Sequence, residues 1–241
     1  MTRLRIATFN IRHGAPKHSY RGLPDELAAA CASLDADVLA LQEVDVGVPR
    51  SQNANLAKVA ADACGMTYYF AKARKHACRG QYGNALLVRG TISEVTVVRL
   101  DGDHRHTLRI GRMEFKPFRE PRNAIIATAT VRGHALSIGT GHFAADTAAR
   151  RPQLTTTAQH LVARPEPRIL LGDLNVAARQ AAEWLAPYGL TVVGPLAPPA
   201  TGKRLEIDHV AVCGVGIERV ESRWLPISDH PAKIVDLTIA G

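Results

Sequence analysis

The sequence predicts an α/β fold of two packed, mixed sheets with helices on their outer faces. Three observations carry this. Apolar runs rich in β-branched residues outnumber the segments with helical periodicity. Some neighbouring strand-like runs have no crossover helix between them, which argues against a purely doubly wound parallel sheet. No internal repeat, low-complexity tract or Gly/Ser linker interrupts residues 1–241, so the chain reads as one domain.

The elements follow in order. Residues 4–9 form a buried strand that ends at Asn10. Pro24-Asp25-Glu26-Leu27 opens an amphipathic helix ending near Leu34, with Pro24 suited to a first turn whose N–H groups have no helical acceptor. Residues 37–41 are a second buried strand, delivering Gln42 and Glu43. Residues 53–64 are helical, and Gly65 suits the left-handed position just past a helix end. Strands are expected at 84–88, 93–100, 124–131 and 135–140, then a helix at 147–162. A short strand at 168–171 delivers Asp173. A helix at 177–185 and strands at 206–213, 217–224 and 232–239 complete the chain. Residues 72–79 (KARKHACR) and 101–109 (DGDHRHTLR) are expected as charged, exposed loops, and 195–201 (PLAPPAT) as a Pro-rich loop.

With 46% hydrophobic and 22% charged residues the composition is that of a globular protein able to bury a substantial core. The net charge of +8 gives a long-range field that attracts polyanions, and favours nucleic acid as partner. None of the four cysteines (Cys31, Cys64, Cys78, Cys213) lies in a C-x-x-C pair, which argues against a cysteine zinc site. Cys31 and Cys213, in apolar surroundings, are expected to be buried thiols. The first residues run directly into a strand without a signal-peptide pattern, and no apolar run approaches the ~18 residues of a membrane span. A cytoplasmic monomer without stable membrane association is expected.

Four segments place acid, amide or imidazole groups at the ends of apolar runs: Thr8-Phe9-Asn10, Leu41-Gln42-Glu43, Gly172-Asp173-Leu174-Asn175 and Ser228-Asp229-His230. Phosphodiester hydrolysis needs a hard cation on the phosphoryl oxygen, a deprotonated water and stabilisation of the leaving oxygen. Glu43 follows a fully apolar strand, where an ionised carboxylate is costly unless paired or metal-bound. Asp173 and Asn175 would share a face beyond Gly172, the carboxylate to orient or deprotonate water and the amide to hold it or donate to the phosphate. Arg50 and Arg122 offer guanidinium geometry for phosphate, and Arg150 with Gln153 opens the helix after His142. Asp45 reads as a loop cap and His209 as structural. His13 and His18 read as solvated loop residues, and His104 and His106 as turn residues.

In order and spacing these segments resemble the endonuclease/exonuclease/phosphatase family, from Thr8 to His230. The resemblance implies the four-layer α/β/β/α sandwich of deoxyribonuclease I and hydrolysis of a phosphate ester with Mg²⁺ (or Mn²⁺). It implies that Asn10, Glu43 and Asp229 hold the metal, that Asp173 and Asn175 handle the water, and that Asp208 hydrogen-bonds His230. It also implies that His142 and His230 act on the phosphate and leaving oxygen, and that Tyr82 and Asn84 lie in a phosphate-side loop with Val48-Pro49-Arg50-Ser51 nearby. Gly141 and Phe143 replace the Thr and Leu more usual beside that His. Asn84 replaces a carboxylate that some nucleases of the family carry. Glu43 is followed by Val44-Asp45, not the Thr-Lys pair of apurinic-site endonucleases.

The resulting expectation is a metal-dependent phosphodiesterase, a nuclease acting on DNA or RNA. The alternatives are hydrolysis of inositol phosphates, lipid headgroups or small phosphate esters, and a non-catalytic binding member of the family.

Overall fold

The structure, a computed structural model, describes residues 1–76, 80–103, 108–110, 113–115, 120–194 and 206–240; for 101–103, 108–110 and 113–115 it describes the backbone alone. The elements are β1 (Thr2–Asn10), α1 (Pro24–Ser33), β2 (Val38–Val46), α2 (Leu56–Cys64), β3 (Thr67–Lys75), β4 (Gln81–Val88), β5 (Thr91–Asp103), β6 (Leu108–Ile110), β7 (Met113–Phe115), β8 (Glu120–Val131), β9 (His134–His142), α3 (Thr147–Val162), β10 (Arg168–Asp173), α4 (Ala178–Leu185), β11 (Thr191–Val192), β12 (Asp208–Cys213), β13 (Gly216–Arg223) and β14 (Ala232–Ile239). One six-stranded sheet has the order β13–β14–β1–β2–β4–β3; the other has the order β11–β12–β10–β9–β8–β5. Each holds one parallel pair, β1 with β2 and β9 with β10, joined through α1 and α3. The remaining pairs are antiparallel, so both sheets are mixed.

Side-chain alternation along each strand builds three apolar layers. Leu4 and Ile6 of β1 meet Ile138 of β9 and Ile169 and Leu171 of β10 between the sheets. Ala7 and Phe9, of opposite parity, pack beneath Leu27 of α1 and Leu56 of α2. Leu170 of β10 and Ala211 of β12 pack beneath Leu154 of α3 and Trp184 of α4. α1 and α3 begin where expected, whereas α2 begins at Leu56 and not at residue 53. Pro24 opens α1, Asn55 caps α2 by accepting from Lys58 N at 3.1 Å, and Asp146 caps α3 by accepting from Ala148 N at 3.0 Å. Gly65, at φ 63°, ends α2.

Five expectations need correction. Residues 101–103 are not loop but the end of β5, and residues 108–110 form β6. Residues 72–75 are not loop but the end of β3, an edge strand whose exposed Lys72 and Lys75 disfavour edge-to-edge association, while Arg74 lies over the Tyr82 ring at 4.8 Å. β2 does not stop at Glu43 but continues to Val46 through a bulge. Cys31 is buried as expected, whereas Cys213 is half-exposed at the end of β12. His13 is buried, with Nε2 3.1 Å from the Tyr20 carbonyl oxygen, while His18 is exposed. The Pro-rich stretch 195–201, His104, His106 and Cys78 lie outside the described residues.

Candidate active site

The inner, core-facing parity of the strands ends in polar residues on one side of the sandwich. On β1, Leu4 and Ile6 are followed at the same parity by Thr8 and Asn10; on β9, Leu136 and Ile138 by Thr140 and His142; on β10, Ile169 and Leu171 by Asp173. Strand register then sets the spacing. Asp173 lies opposite His142 on one side and Asp208 on the other, while Asn10 lies opposite Gln42. A polar layer therefore caps the apolar space between the sheets.

Glu43 has the wrong parity to join this layer, because Leu39 and Leu41 face the helices. The bulge between Leu41 and Val44 corrects it. Glu43 takes φ 59°, and its Oε1 accepts from Asn10 Nδ2 at 3.2 Å. The same amide nitrogen donates to Asp173 Oδ2 at 3.0 Å, so Asn10 bridges two carboxylates. Asn175 at φ 52° and Ser228 at φ 71° are further left-handed positions in the site. Such conformations cost about 1 kcal/mol or more each and persist only where surrounding contacts fix them. Here Asp173 Oδ1 accepts from Asn175 N at 3.0 Å and Asn175 Nδ2 donates to the Phe143 carbonyl at 2.8 Å. Ser228 Oγ donates to the Asn10 carbonyl at 2.6 Å and accepts from His230 N at 3.1 Å.

Charge is concentrated and desolvated at this point. Burial, then the neighbouring charge of Asp208, raises the Asp173 carboxyl to about 6, against the helpful charge of His230 and the Asn10 and Asn175 hydrogen bonds. Burial also raises Glu43, opposed by the Asn10 hydrogen bond and reinforced by the charge of Asp173. His230 Nδ1 lies 2.7 Å from Asp208 Oδ2. Burial opposes its imidazolium, but that hydrogen bond and the charges of Asp208, Asp173 and Asp229 outweigh it and lift His230 to about 9. His142 Nε2 stands 3.4 Å from Asp173 Oδ2.

The endonuclease/exonuclease/phosphatase family model matches residues 7–230. The chain belongs to that family. Its members' collective name joins nucleases and phosphatases, and the family is generally one of phosphoesterases. No curated protein matches the sequence. Among solved structures, an endonuclease/exonuclease/phosphatase from Beutenbergia cavernae is similar at 19% identity and TM-score 0.79, covering 100% of this chain and 72% of that one. The human Nocturnin catalytic domain with bound sulfate is similar at 18% identity and TM-score 0.69, over 99% of this chain and 94% of that one. D. rerio TDP2 complexed with a single-strand DNA product is similar at 17% identity and TM-score 0.68, over 99% and 100%. At these identities the structural likeness establishes the fold, the four-layer sandwich.

Of the remaining residues expected in a site of this family, Tyr82 and Arg122 lie close enough to Glu43 to interact with it through charge. Tyr82 is buried, and burial followed by the charges of Glu43 and Glu120 holds its hydroxyl well above the usual range. Arg122, buried beside Glu120 at 3.1 Å, acts on Glu43 and Tyr82 through its charge. Asn84 Nδ2 donates across the sheets to Asn123 Oδ1 at 2.9 Å. Arg50 grips Asp45 with two hydrogen bonds, at 2.7 and 2.9 Å, and Ser51 Oγ adds a third to Asp45 at 2.7 Å. Asp45 thus caps its loop, as its position suggests. His209 faces the helices and its Nε2 lies 2.7 Å from the Val176 carbonyl, a structural role. Arg150 Nε donates to the Ala144 carbonyl at 3.0 Å, and Gln153 Oε1 accepts from Ala144 N at 2.8 Å, so both shape the turn after His142. Asp229 is partly exposed, with Arg12 Nε 3.8 Å away.

Sequence reasoning passes over Arg12 and Ser228. Arg12 N donates to Asn10 Oδ1 at 3.1 Å and its guanidinium binds the carbonyls of Pro16, Lys17 and Ser19. The only signal for Ser228 is its place two residues before His230, the spacing of a hydroxyl-capped turn.

Two sets of groups could hold a cation. Asp173, Asp208 and His230 present ligand atoms within 4.8 Å of one another. His230, lifted to about 9, carries a proton at neutral pH and already supplies positive charge there. Glu43 fits a cation better, with Asn10 beside it and Asp173 facing it across the Asn10 amide. Burial and the charge of Asp173 hold the Glu43 carboxyl above its ordinary range, a hard divalent ion would relieve it, and a carboxylate is the oxygen donor such an ion takes.

Proposed function

We propose that this protein is a Mg²⁺- or Mn²⁺-dependent phosphodiesterase that hydrolyses nucleic acid. The observation that carries this reading is the setting of Asp173. It is one buried carboxylate bridged to Glu43 through Asn10, faced by His142, and flanked by the charged His230–Asp208 pair. A divalent ion held by Glu43, with Asn10 and Asp229 completing its ligands, would polarise the phosphoryl oxygen. Asp173, raised towards neutrality yet still ionised at pH 7, takes the proton of the attacking water. The carbonyl oxygen of the Asn175 side chain accepts from that water, since its amide nitrogen is committed to Phe143. Protonated His230, held by Asp208, donates to a phosphate oxygen, and His142 serves the leaving oxygen. Arg122, Tyr82 and Asn84 line the phosphate side.

Net charge +8 supports a polyanionic substrate, as does the single-strand DNA product bound by TDP2 on the same fold. No helix among the described residues is long and apolar enough to cross a membrane. Purified protein assayed with Mg²⁺ or Mn²⁺ should cleave plasmid DNA or RNA in preference to a phosphoinositide. Asp173→Ala and Glu43→Ala should lower the rate about 10²–10⁴-fold. Wild-type rates in both variants would remove the site assignment, and cleavage confined to the phosphoinositide would remove the nucleic-acid assignment.

A further inference from the structure

The loop after β1 carries Arg12, His13, Lys17, His18 and Arg21 and no acidic residue between Ile11 and Gly22. It lies at the rim of the site. Arg12 holds Asn10 Oδ1 through its backbone N–H and pairs with Asp229, and Pro16 bridges to Ser228. Tyr20, on this loop, is 66% exposed, yet its ring is fixed. The His13 ring packs against it at 5.0 Å, and the His13 Nε2 lies 3.1 Å from the Tyr20 carbonyl. The Arg50 guanidinium sits 5.3 Å from the ring centroid and donates to the hydroxyl at 2.8 Å. Arg50 is itself locked by buried Asp45, two residues beyond Glu43, and lies 5.9 Å from the Tyr82 ring. A cavity of about 600 Å³ lined by Tyr20, Arg21, Pro49 and Arg50 opens beside it.

An exposed tyrosine costs apolar hydration, and an ordered loop costs conformational entropy. Here Arg50, itself paired with buried Asp45, and His13 hold the ring, and Arg12 orders the loop by donating to three of its carbonyls. A rigid aromatic face in a basic rim, next to a phosphoester site, suits the face of an unstacked base whose phosphates lie against the cations. Duplex bases are stacked on both faces and offer no such surface. We propose that Tyr20 is a base-stacking platform for single-stranded nucleic acid, positioned by Arg50 and His13. This rests on the reading of the site as one that acts on nucleic acid. It gives Arg50 the task of holding the platform, in place of direct phosphate contact.

The test is the affinity of fluorescein-labelled dT12, read by anisotropy without divalent metal, for wild type, Tyr20→Ala, Tyr20→Phe and Tyr20→Trp. Tyr20→Ala should weaken binding roughly tenfold or more, Tyr20→Phe by less than about threefold, and Tyr20→Trp should match or exceed wild type. Equal affinity of Tyr20→Ala and wild type overturns the platform, as does equal loss in the Ala and Phe variants, which would make the hydroxyl–Arg50 contact the cause. Hydrolysis of dT12 and of a small chromogenic diester with Mg²⁺ is measured in parallel on wild type. Binding of dT12 through Tyr20 without cleavage of either compound supports the platform and removes the catalytic reading. Cleavage of the diester without binding of dT12 overturns the platform and leaves the phosphoesterase.

Discussion

His230 and Asp173 are both held above their ordinary values, the first towards its charged form and the second towards its neutral form, and this sets the expected pH behaviour. The imidazolium of His230, held at about 9 against an ordinary 6.5, contributes stability fully below pH 6.5 and loses it as pH rises through 9. Asp173, held at about 6 against 3.8, contributes below pH 3.8 and loses that contribution as pH rises through 6. The proposed catalysis needs the first protonated and the second ionised. The pH–rate profile should therefore be bell-shaped, with an acidic limb at or below pH 6, since a bound cation favours ionised Asp173, and an alkaline limb near pH 9. Asp208→Asn should move the alkaline limb down by about a unit or more, because that carboxylate is the chief support of the imidazolium. An alkaline limb that stays in place would assign it to another group. The same logic makes ionised Asp173 a burden on the metal-free fold. Asp173→Asn should raise the Tm of metal-free protein at pH 8 by about 2–6 °C while removing activity. A lowered Tm would mean that the hydrogen bonds to the carboxylate outweigh its desolvation.

Strand parity explains both what the sequence discloses and what it conceals. Asn10, His142, Asp173 and Asp208 each continue the inner parity of an apolar strand, so their convergence is legible from alternation once two packed sheets are assumed. Glu43 breaks parity, and only the bulge, which no sequence pattern here announces, turns it inward. Its recognition as a site residue rests on the cost of a carboxylate after an apolar run and on family resemblance. β3 is hidden for a different reason: an edge strand with exposed Lys72 and Lys75 has the composition of a loop. Asp208–His230 is a contact between residues 22 apart that depends on two strands of different sheets, and is legible only by resemblance. Tyr20 carries no sequence signal, since its fixity comes from Arg50 and His13. At Gly172 the need for glycine is steric: a Cβ would overlap the Gly141 carbonyl on the neighbouring strand. Gly172→Ala should cost about 1–3 kcal/mol in urea unfolding and displace Asp173, lowering the rate as well. A variant with unchanged stability and rate would contradict the tight β9–β10 approach.

At the scale of the molecule, two sheets closed over one apolar core leave the polar ends of their strands as a single rim, to which both sheets contribute. Glu43 and Asn10 come from one sheet, Asp173, His142 and Asp208 from the other, and His230 precedes the last strand of the first. The site therefore exists only when the sheets are packed, and thinning the core between them should weaken both. Ile138→Ala, at the centre of that core, should destabilise by about 2–5 kcal/mol. The excess of positive charge acts over the whole surface, so the affinity for dT12 should fall steeply with salt, log K dropping about 0.7 per decade of salt for each phosphate neutralised. The central claim is that this rim is a metal-assisted phosphodiesterase built on Glu43 and Asp173. Its most direct test is the initial rate of diester hydrolysis by metal-stripped protein as Mg²⁺ or Mn²⁺ is titrated in, for wild type beside Glu43→Gln and Asp173→Asn. The account predicts a rate that rises saturably from background with metal in the wild type. It predicts a need for higher metal in Glu43→Gln, and a rate about 10²–10⁴-fold lower at every concentration in Asp173→Asn. A wild-type rate independent of added metal, or variants that follow the wild-type curve, would contradict it.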